Sequence, residues 1–540
     1  MNWQIKQSLN YKEYMQNYSI HSLLAKVLDI RNLNPDEIEK LLNPKLRYHD
    51  FSLFLDSDIA LDRIHEALEN DEKICIYGDY DCDGILSTAI LVQAFADLGK
   101  KVGYHIPDRI KDGYGLNEAR VKQMYEKGYS LIITVDNGIK AFAAIELADS
   151  LGIDVIVVDH HEYDQLPNAC AIIHTKLSPD YPFKEICGGF LAYKLASALL
   201  EKHDKYLFSL AAITTISDMM PLVDENRSLV QRALTFMSQE KYMQLELLLG
   251  ENQQYDVRNI GYIIAPKINS FGRMPELINP NHLVRYFLKD VDQAFAMKIA
   301  HAAKMVNTKR QELTTKQYNE ILQLKNDDDF LFVYDQKVHE GLVGLIAGKY
   351  THQFQKPSFV MNYDPVNEYY KGSARSISTI PLTKIFEALK DDMLQYGGHA
   401  LAGGFTIAKN DIGQFQRDLK DYLDHFEVKE PAVETLLVTP GDLSLNSIKE
   451  LQRLEPFGQG NEEMIFMLND LPVERTTVLS GGKHLRYDVN LPQGQMQALF
   501  FNCTNINDLK NRKAISVIGK LKINRYLNRE SINMIIEDMK

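Results

Sequence analysis

Four short stretches of this 540-residue chain concentrate carboxylates and imidazoles. Lys73–Tyr77 (KICIY) runs into Gly78-Asp79-Tyr80-Asp81-Cys82-Asp83-Gly84, and Leu131–Val135 (LIITV) runs into Asp136-Asn137-Gly138. Val155–Val158 (VIVV) leads to Asp159-His160-His161, and Ser217-Asp218 ends a helical segment. Carboxylates gathered in one crevice repel each other, and divalent cations relieve that repulsion. Oxygen ligands with one imidazole suit Mn²⁺ or Mg²⁺ better than a thiolate-loving ion. Asp81 and Asp83, in one turn, can each face a different ion, and a carboxylate such as Asp136 can bridge two ions about 3.5–4 Å apart. Such a pair clamps the attacking and leaving oxygens of an in-line phosphoryl displacement. Taken singly, Asp-x-Asp-Gly also fits a calcium-type turn, Asp-Asn-Gly a plain turn and His-His a surface pair. The series after successive apolar runs points to phosphoryl chemistry. The chain has no GxxxxGK[ST], no GxGxxG after a strand, no HExxH and no GxSxG, which argues against P-loop, dinucleotide, zincin and serine-hydrolase chemistry.

The elements that must position these groups alternate in type. Strands at 73–77, 101–106, 131–135, 155–158 and 169–173 are separated by helices at 85–98, 117–127 and 140–150. This pattern predicts βα units and a mostly parallel sheet whose carboxyl ends collect the ligand. Residues 190–245 turn helical. Val291 to Leu324 lacks glycine and proline and predicts a long connecting helix. A second α/β pattern runs from Phe330 to about Ala408. After Lys429-Glu430-Pro431, alternating runs at 464–467, 473–479, 485–491, 497–501, 515–518 and 532–536 predict a small β-barrel. Asn34-Pro35-Asp36-Glu37 reads as the capped start of a helix within an amino-terminal helical lead-in.

Hydrophobic residues are 45% and charged residues 25% of the chain, ordinary globular usage that excludes a disordered or low-complexity protein. The polar amino terminus predicts no secretion signal, and no apolar run of about 18 residues predicts a membrane span. Five scattered cysteines, never CxxC, predict neither a disulfide framework nor a structural zinc site and fit a reducing cytoplasm. The net charge of −13 argues against coating nucleic acid by bulk electrostatics. Yet residues 509–529 hold seven basic residues and no acidic one. That run and the aromatics Tyr487, Phe500, Phe501 and Tyr526 fit a groove that binds a single strand by charge and stacking.

In order, GDYDCDG (78–84), PDRIKDGYGL (107–116), VDNGI (135–139), VDHHEY (158–163), YPFKEICGG (181–189) and SDMMPLVDENR (217–227) resemble the successive blocks of the DHH phosphoesterase superfamily. The likeness is nearest to its RecJ-like branch. It continues through APKINSFGRM (265–274), HEGLVGLIAGKY (339–350), KGSARS (371–376), GGHALAGGF (397–405) and PFGQGN (456–461). The sequence departs from it at His174-Thr175, where many relatives have Asn-Pro, and at Val338, where an aromatic is common.

The resemblance implies a 5′→3′ exonuclease on single-stranded DNA that depends on Mn²⁺ or Mg²⁺ and releases 5′-mononucleotides. Residue by residue it implies Asp81, Asp83, Asp136, His160 and Asp218 as metal ligands, with Asp136 bridging. Asp79 would be a weak or supporting ligand, Asp159 would orient a neighbour, and His161 would contact the scissile phosphate. Gly397-Gly398 permits close approach of an anion to His399, while Arg273 and Arg375 with Ser373 can fork onto a phosphate. The resemblance makes that phosphate the 5′ terminus, with Arg109 on the strand backbone and Lys520, Lys522 and Arg525 as barrel contacts. The implied architecture is α/β and multidomain. It has a helical lead-in (1–50), a parallel-sheet DHH catalytic lobe (51–245), a helical connector (246–325), a DHH-associated lobe (326–430) and a C-terminal β-barrel of OB-fold type (431–540). A cytoplasmic monomer working in repair and recombination beside a RecQ-type helicase and single-strand-binding protein is implied. The alternatives are a DHH phosphoesterase on short oligonucleotides, cyclic dinucleotides or pyrophosphate, and a non-catalytic replication scaffold.

Overall fold

The computed structural model describes residues 2–43, 45–323, 330–426, 432–503, 505–526 and 529–539. The ends of the expected connector, at 324–325, and the Lys429-Glu430-Pro431 boundary lie outside them. The chain divides into two units. One comprises residues 47–220 and 224–429, and the other residues 1–46, 221–223 and 430–540.

The larger unit is built on two sheets. The first is wholly parallel, in the order Gly103–His105, Ile74–Tyr77, Leu131–Val135, Asp154–Val158, Ala171–Ile173. Its inner strands are almost continuously apolar and buried because helices cover both faces. Cys75, Tyr77, Ile132, Val155 and Val157 face the helices Glu118–Glu126 and Phe142–Ser150. The other face meets Cys82–Asp97 and Gly188–Leu200, and Cys82–Asp97 is buried along 14 of its 16 residues. From Ile74–Tyr77 the chain goes to one neighbour, Gly103–His105, and then crosses to the other, Leu131–Val135. Connections that diverge in this way leave a crevice outside the strands' carboxyl ends, which is where Asp79–Asp83 and Asp136 emerge.

Helix Gln293–Gln323 has 31 residues and so is about 46 Å long. Its first half packs on Ala265–Arg273 and Met243–Leu249, while Tyr318 and Ile321 enter a core with Leu331, Val343, Ile346 and Val360. It therefore ties the first sheet's helices to the second sheet, whose order is Gln395–Gly398, Ala402–Ala408, Tyr369–Arg375, Ser358–Asp364, Leu331–Tyr334. Only the last pair is parallel, joined through helix Val343–Phe354.

The smaller unit carries a seven-stranded sheet in which five strands close into a barrel and Ala432–Leu437 and Asn2–Lys6 extend it. Strand Phe466–Leu479 closes it by pairing with Ala514–Tyr526 through its first half and with His484–Leu491 through its second. The expected pair of runs at 464–467 and 473–479 is thus one strand. It bends at Asp470, which takes a left-handed φ of 50°, where the register shifts between Leu468 and Leu471.

The lead-in expected over 1–50 differs from that reading in two ways. Residues 1–46 join this barrel unit rather than standing apart. They also begin with strand Asn2–Lys6, which runs parallel to Ala432–Leu437. The helices themselves form as expected. Asn34 caps Pro35–Leu42 by accepting the Glu37 N–H at 3.0 Å, and Glu37 returns a bond to the Asn34 N–H at 2.8 Å. Among the described residues no helix is long and apolar enough to cross a membrane, and all five cysteines are free.

Candidate metal centre and phosphate cleft

Each acidic residue is held by the turn that follows its strand. Asp81 caps helix Cys82–Asp97, its Oδ1 accepting the Gly84 N–H at 3.0 Å, and the Cys82 N–H is taken by Asn269 Oδ1 at 2.7 Å. Gly84 lies so close to Asp79 that a Cβ there would stand 2.4 Å from the Asp79 nitrogen. Asp83 is buried, yet both its oxygens are satisfied. The N–H groups of Gly188 and Gly189, at the start of helix Gly188–Leu200, donate to them at 2.8 and 2.7 Å. This is anion binding by a helix N-terminus, turned onto a side chain of the same protein. Asp136 sits at φ 61°, a left-handed backbone that an aspartate adopts at a cost. Its Oδ1 lies 3.1 Å from His160 Nε2, and His160 Nε2 is also 3.8 Å from Asp83 and 3.7 Å from Asp218. Asp159 orients the pair. It accepts the backbone N–H groups of His160 and Ile139 and holds His161 Nδ1 at 2.7 Å. His174, at one departure from the family pattern, contacts the His161 carbonyl through Nε2 at 3.0 Å.

These side chains surround a cavity of about 350 Å³ lined by Asp79, Asp81, Asp83, Asp136, His161, Asp218, Tyr80, Tyr114, Arg109, Asn269 and Arg273, among others. Burial, compounded by the neighbouring carboxylates, pushes Asp79, Asp136 and Asp218 well above the usual carboxylate range and Asp83 up to about 6. Burial and the charge of His161 lower His160 to about 3, so its imidazole is neutral and able to ligate. Burial alone would lower His161, but the Asp159 charge and hydrogen bond outweigh it and raise the group to about 9.

Potential ligand atoms fall into three groups: Asp79, Asp81 and Asp136; Asp83, His160 and Asp218; and Asp136, His160 and His161. Asp136 and His160 are each shared between two groups. Buried Asp79 Oδ1 has no hydrogen-bond partner among the described residues. Crowded carboxylates, an orphaned oxygen and a neutral imidazole fit divalent cations held by oxygen and one or two nitrogens.

The charge reverses at Arg109 and Arg273, which line the same cavity, with Arg310 and Arg375 near Arg273. Burial and the charges of Arg310, Arg109 and Arg375 lower Arg273 to about 9. Burial, then Arg109, lowers Arg375. None of these four arginines forms an ion pair among the described residues. Arg375 Nη1 donates to Ser373 Oγ at 2.7 Å, Arg109 lies over the Tyr80 ring at 5.0 Å, and Arg310 Nε donates to Asn307 at 3.1 Å. Glycines make the cluster possible. A Cβ on Gly341 would stand 2.0 Å from the Arg273 carbonyl, and one on Gly344 3.0 Å from Arg375 Nη2. Cations held together without counter-ions form a site for an anion.

Three family models match the chain in order. The DHH family, N-terminal domain, matches residues 73–217, the DHHA1 domain residues 327–425, and the RecJ OB domain residues 436–538. The single-stranded-DNA-specific exonuclease RecJ of Bacillus subtilis is 32% identical over 558 residues, covering 100% of this chain and 70% of that protein. The chain belongs to the RecJ family. The RecJ of Thermus thermophilus is likewise 32% identical, over 78% of this chain and 63% of its own length. The crystal structure of Thermus RecJ in complex with Mn²⁺ superposes with a TM-score of 0.86 at 26% identity, covering 100% of this chain and 79% of that one. The Mg²⁺ complex gives 0.78.

In this RecJ chain the expected metal ligands, His161, Arg109 and Arg273 converge on one cavity or its immediate wall. His399 is exposed at the turn after Gln395–Gly398 and acts electrostatically on His160. The barrel residues lie on the other unit. Lys520, Lys522 and Arg525 are engaged within their own unit by Glu537 (3.1 Å), Glu463 (2.6 Å) and Glu530 (3.1 Å). Tyr487 is buried in the barrel core with its hydroxyl on the Leu509 carbonyl, so it offers no stacking face. The Tyr526 side chain lies outside the described residues, while Phe501 is exposed. Sequence reasoning missed Tyr114, Asn269, Arg310 and the Gly188-Gly189 clamp. All but Arg310 lie in motifs whose order had already drawn notice.

Proposed function

We propose that this RecJ chain degrades single-stranded DNA from its 5′ end to 5′-mononucleotides. One observation carries the reading: a carboxylate–histidine cluster built for divalent ions shares a cavity with arginines that lack counter-ions. The first suits hydrolysis of a phosphodiester and the second holds the neighbouring phosphate. Divalent ions bound by Asp79, Asp81, Asp83, Asp136, His160 and Asp218 supply Lewis-acid activation of water and of the scissile phosphate. The chain's own residues do the rest. Asp136, within reach of two ligand groups, ties them together. Asp159 holds His161 protonated near neutral pH, with Nε2 left to donate to a phosphate oxygen. Arg273, Arg375 and Ser373, with Arg310 behind them, take the 5′-terminal phosphate, and Arg109 takes the strand backbone. Fixing the terminal phosphate sets the polarity.

Such an enzyme needs strands opened for it. We infer that it works in repair and recombination beside a RecQ-type helicase and single-strand-binding protein, as a monomer. Its free cysteines favour the cytoplasm. Stimulation of the assay below by those proteins tests the pairing.

The deciding experiment is digestion of 5′- and 3′-labelled single-stranded DNA with Mn²⁺ or Mg²⁺, alongside matched duplex and Asp136→Ala. The expected result is early release of mononucleotide from the 5′ label, with duplex spared and the variant slowed by at least ~10³-fold. Inactivity on long strands with cleavage of dinucleotides would favour a short-oligonucleotide phosphoesterase. Inactivity on both would leave a scaffold.

A further inference from the structure

Tyr114 belongs to neither the ligand set nor the arginine cluster, yet its hydroxyl touches both Asp136 and His161. It donates to the Asp136 carbonyl at 3.2 Å and stands 3.3 and 3.4 Å from the two ring nitrogens of His161, so it meets that ring between them. The Tyr114 and His161 rings pack edge-on at 5.7 Å, and Tyr80 packs edge-on against Tyr114 at 6.5 Å. About half of the tyrosine is exposed, into the cavity that it lines.

The loop that presents it is tightly built. Asp112 accepts the Asp108 N–H at 2.8 Å and is gripped by Arg120, whose Nη2 lies 2.8 Å from both its oxygens. Asp108 in turn accepts the N–H groups of Ile110 and Lys111. Glycines in left-handed conformation flank the tyrosine, Gly113 at φ 77° and Gly115 at φ 70°. The Gly115 carbonyl is tied to the Tyr77 hydroxyl at 3.1 Å. A loop pinned on both sides of one residue fixes where its side chain points.

The bond to Asp136 falls on a strained peptide. A non-glycine residue at φ 61° persists only where its surroundings over-determine it. On the amino side the Asp136 N–H is held by the Val158 carbonyl at 2.9 Å. On the carbonyl side the Tyr114 hydroxyl holds it.

We propose that the Tyr114 hydroxyl is a positioning group. It locks the Asp136 peptide so that the carboxylate faces both ligand groups, and it limits rotation of the His161 ring. Only the kinetic arm of the test rests on the nuclease reading.

The test compares the full chain with Tyr114→Phe and Tyr114→Ala. Four quantities are measured: Mn²⁺ affinity of the DNA-free protein by calorimetry, kcat and KM on 5′-phosphorylated oligothymidylate, and the metal-free Tm. Groups that orient ligands cost about 10–100-fold in metal affinity or activity when removed. Tyr114→Phe should therefore weaken Mn²⁺ binding and lower kcat by about that factor, with KM within about twofold. Its metal-free Tm should match the parent. Parental Mn²⁺ affinity and kcat in Tyr114→Phe would overturn the proposal, and losses confined to Tyr114→Ala would reduce the residue to ring packing. A raised KM with unmoved Mn²⁺ affinity would make it a DNA contact instead. A lowered Tm with unchanged Mn²⁺ affinity would make it merely structural. If the parent itself digests no DNA, the nuclease reading fails while the Mn²⁺ titration still decides the role of Tyr114.

Discussion

Asp83 shows how a single residue couples folding, protons and metal. Burial raises its pKa to about 6 even though two backbone N–H groups stabilise the carboxylate, and Asp136 and Asp218 are shifted in the same direction. A carboxyl whose pKa is higher folded than unfolded binds more protons when folded. The metal-free protein therefore loses that contribution to stability as pH rises through the ordinary carboxylate range toward the folded pKa. Metal binding runs the other way, because ligands must be deprotonated. The rise in Tm produced by saturating Mn²⁺ should thus be small at a pH of about 5 and grow toward a pH of about 8. A metal-induced shift that is flat with pH, measured by differential scanning fluorimetry, would remove these carboxylates from the ion site. At this scale the acidic residues were legible because aspartates after buried strands have few other reasons to gather. Tyr114 and the Gly188-Gly189 clamp were not. Their roles are set by a loop's folding and by a helix end from elsewhere in the chain, neither of which leaves a pattern in residue type.

Helix Gln293–Gln323 was legible as an element, since 31 residues without glycine or proline read as one helix. Its contribution to the arginine cluster was not, because Arg310 looks like any other charge on an amphipathic surface. Only packing against Ala265–Arg273 brings it to act on Arg273. Arg310→Gln keeps length and polarity but removes the charge. It should reduce the preference for 5′-phosphorylated over 5′-hydroxyl DNA by about 10-fold while leaving Mn²⁺ affinity intact, a little below the ~1.5–3 kcal/mol of a direct hydrogen bond to a charged group because Arg310 acts through Arg273. Equal rates on both substrates in parent and variant would place the phosphate elsewhere. Other elements escaped the sequence for physical reasons. The π-helical turn Ile260–Ile264 arises inside an ordinary helical run. Strand Phe466–Leu479 hides its continuity because Asn469, Asp470 and Pro472 look like a turn. In fact they mark the bend where one strand passes from one partner to the other.

At the scale of the whole molecule, the parallel sheet, the second α/β region and the barrel follow from periodicity. The joining of the chain's first 46 residues to its last hundred does not. Strand pairing between Asn2–Lys6 and Ala432–Leu437 spans more than 400 positions and has no local signature. The packing beneath it is substantial. Leu23, Leu24, Val27 and Leu28, all fully buried, share one core with Leu468, Leu485, Val489, Val517 and Met534 of the barrel. Helix Ser22–Arg31 is further tied to the barrel unit by Lys26 to Asp442 at 2.6 Å and by Arg31 to Asn461 at 2.9 Å. If this is one cooperative core, Leu24→Ala should cost about 2–5 kcal/mol, the usual range for a leucine cavity. Hydrogen exchange can show where that loss falls. Protection should drop together in residues 22–31 and in strands Phe466–Leu479 and Ala514–Tyr526, while Leu131–Val135 and Asp154–Val158 keep theirs. Loss confined to residues 11–42 would instead make the amino-terminal helices an appendage that the barrel does not need.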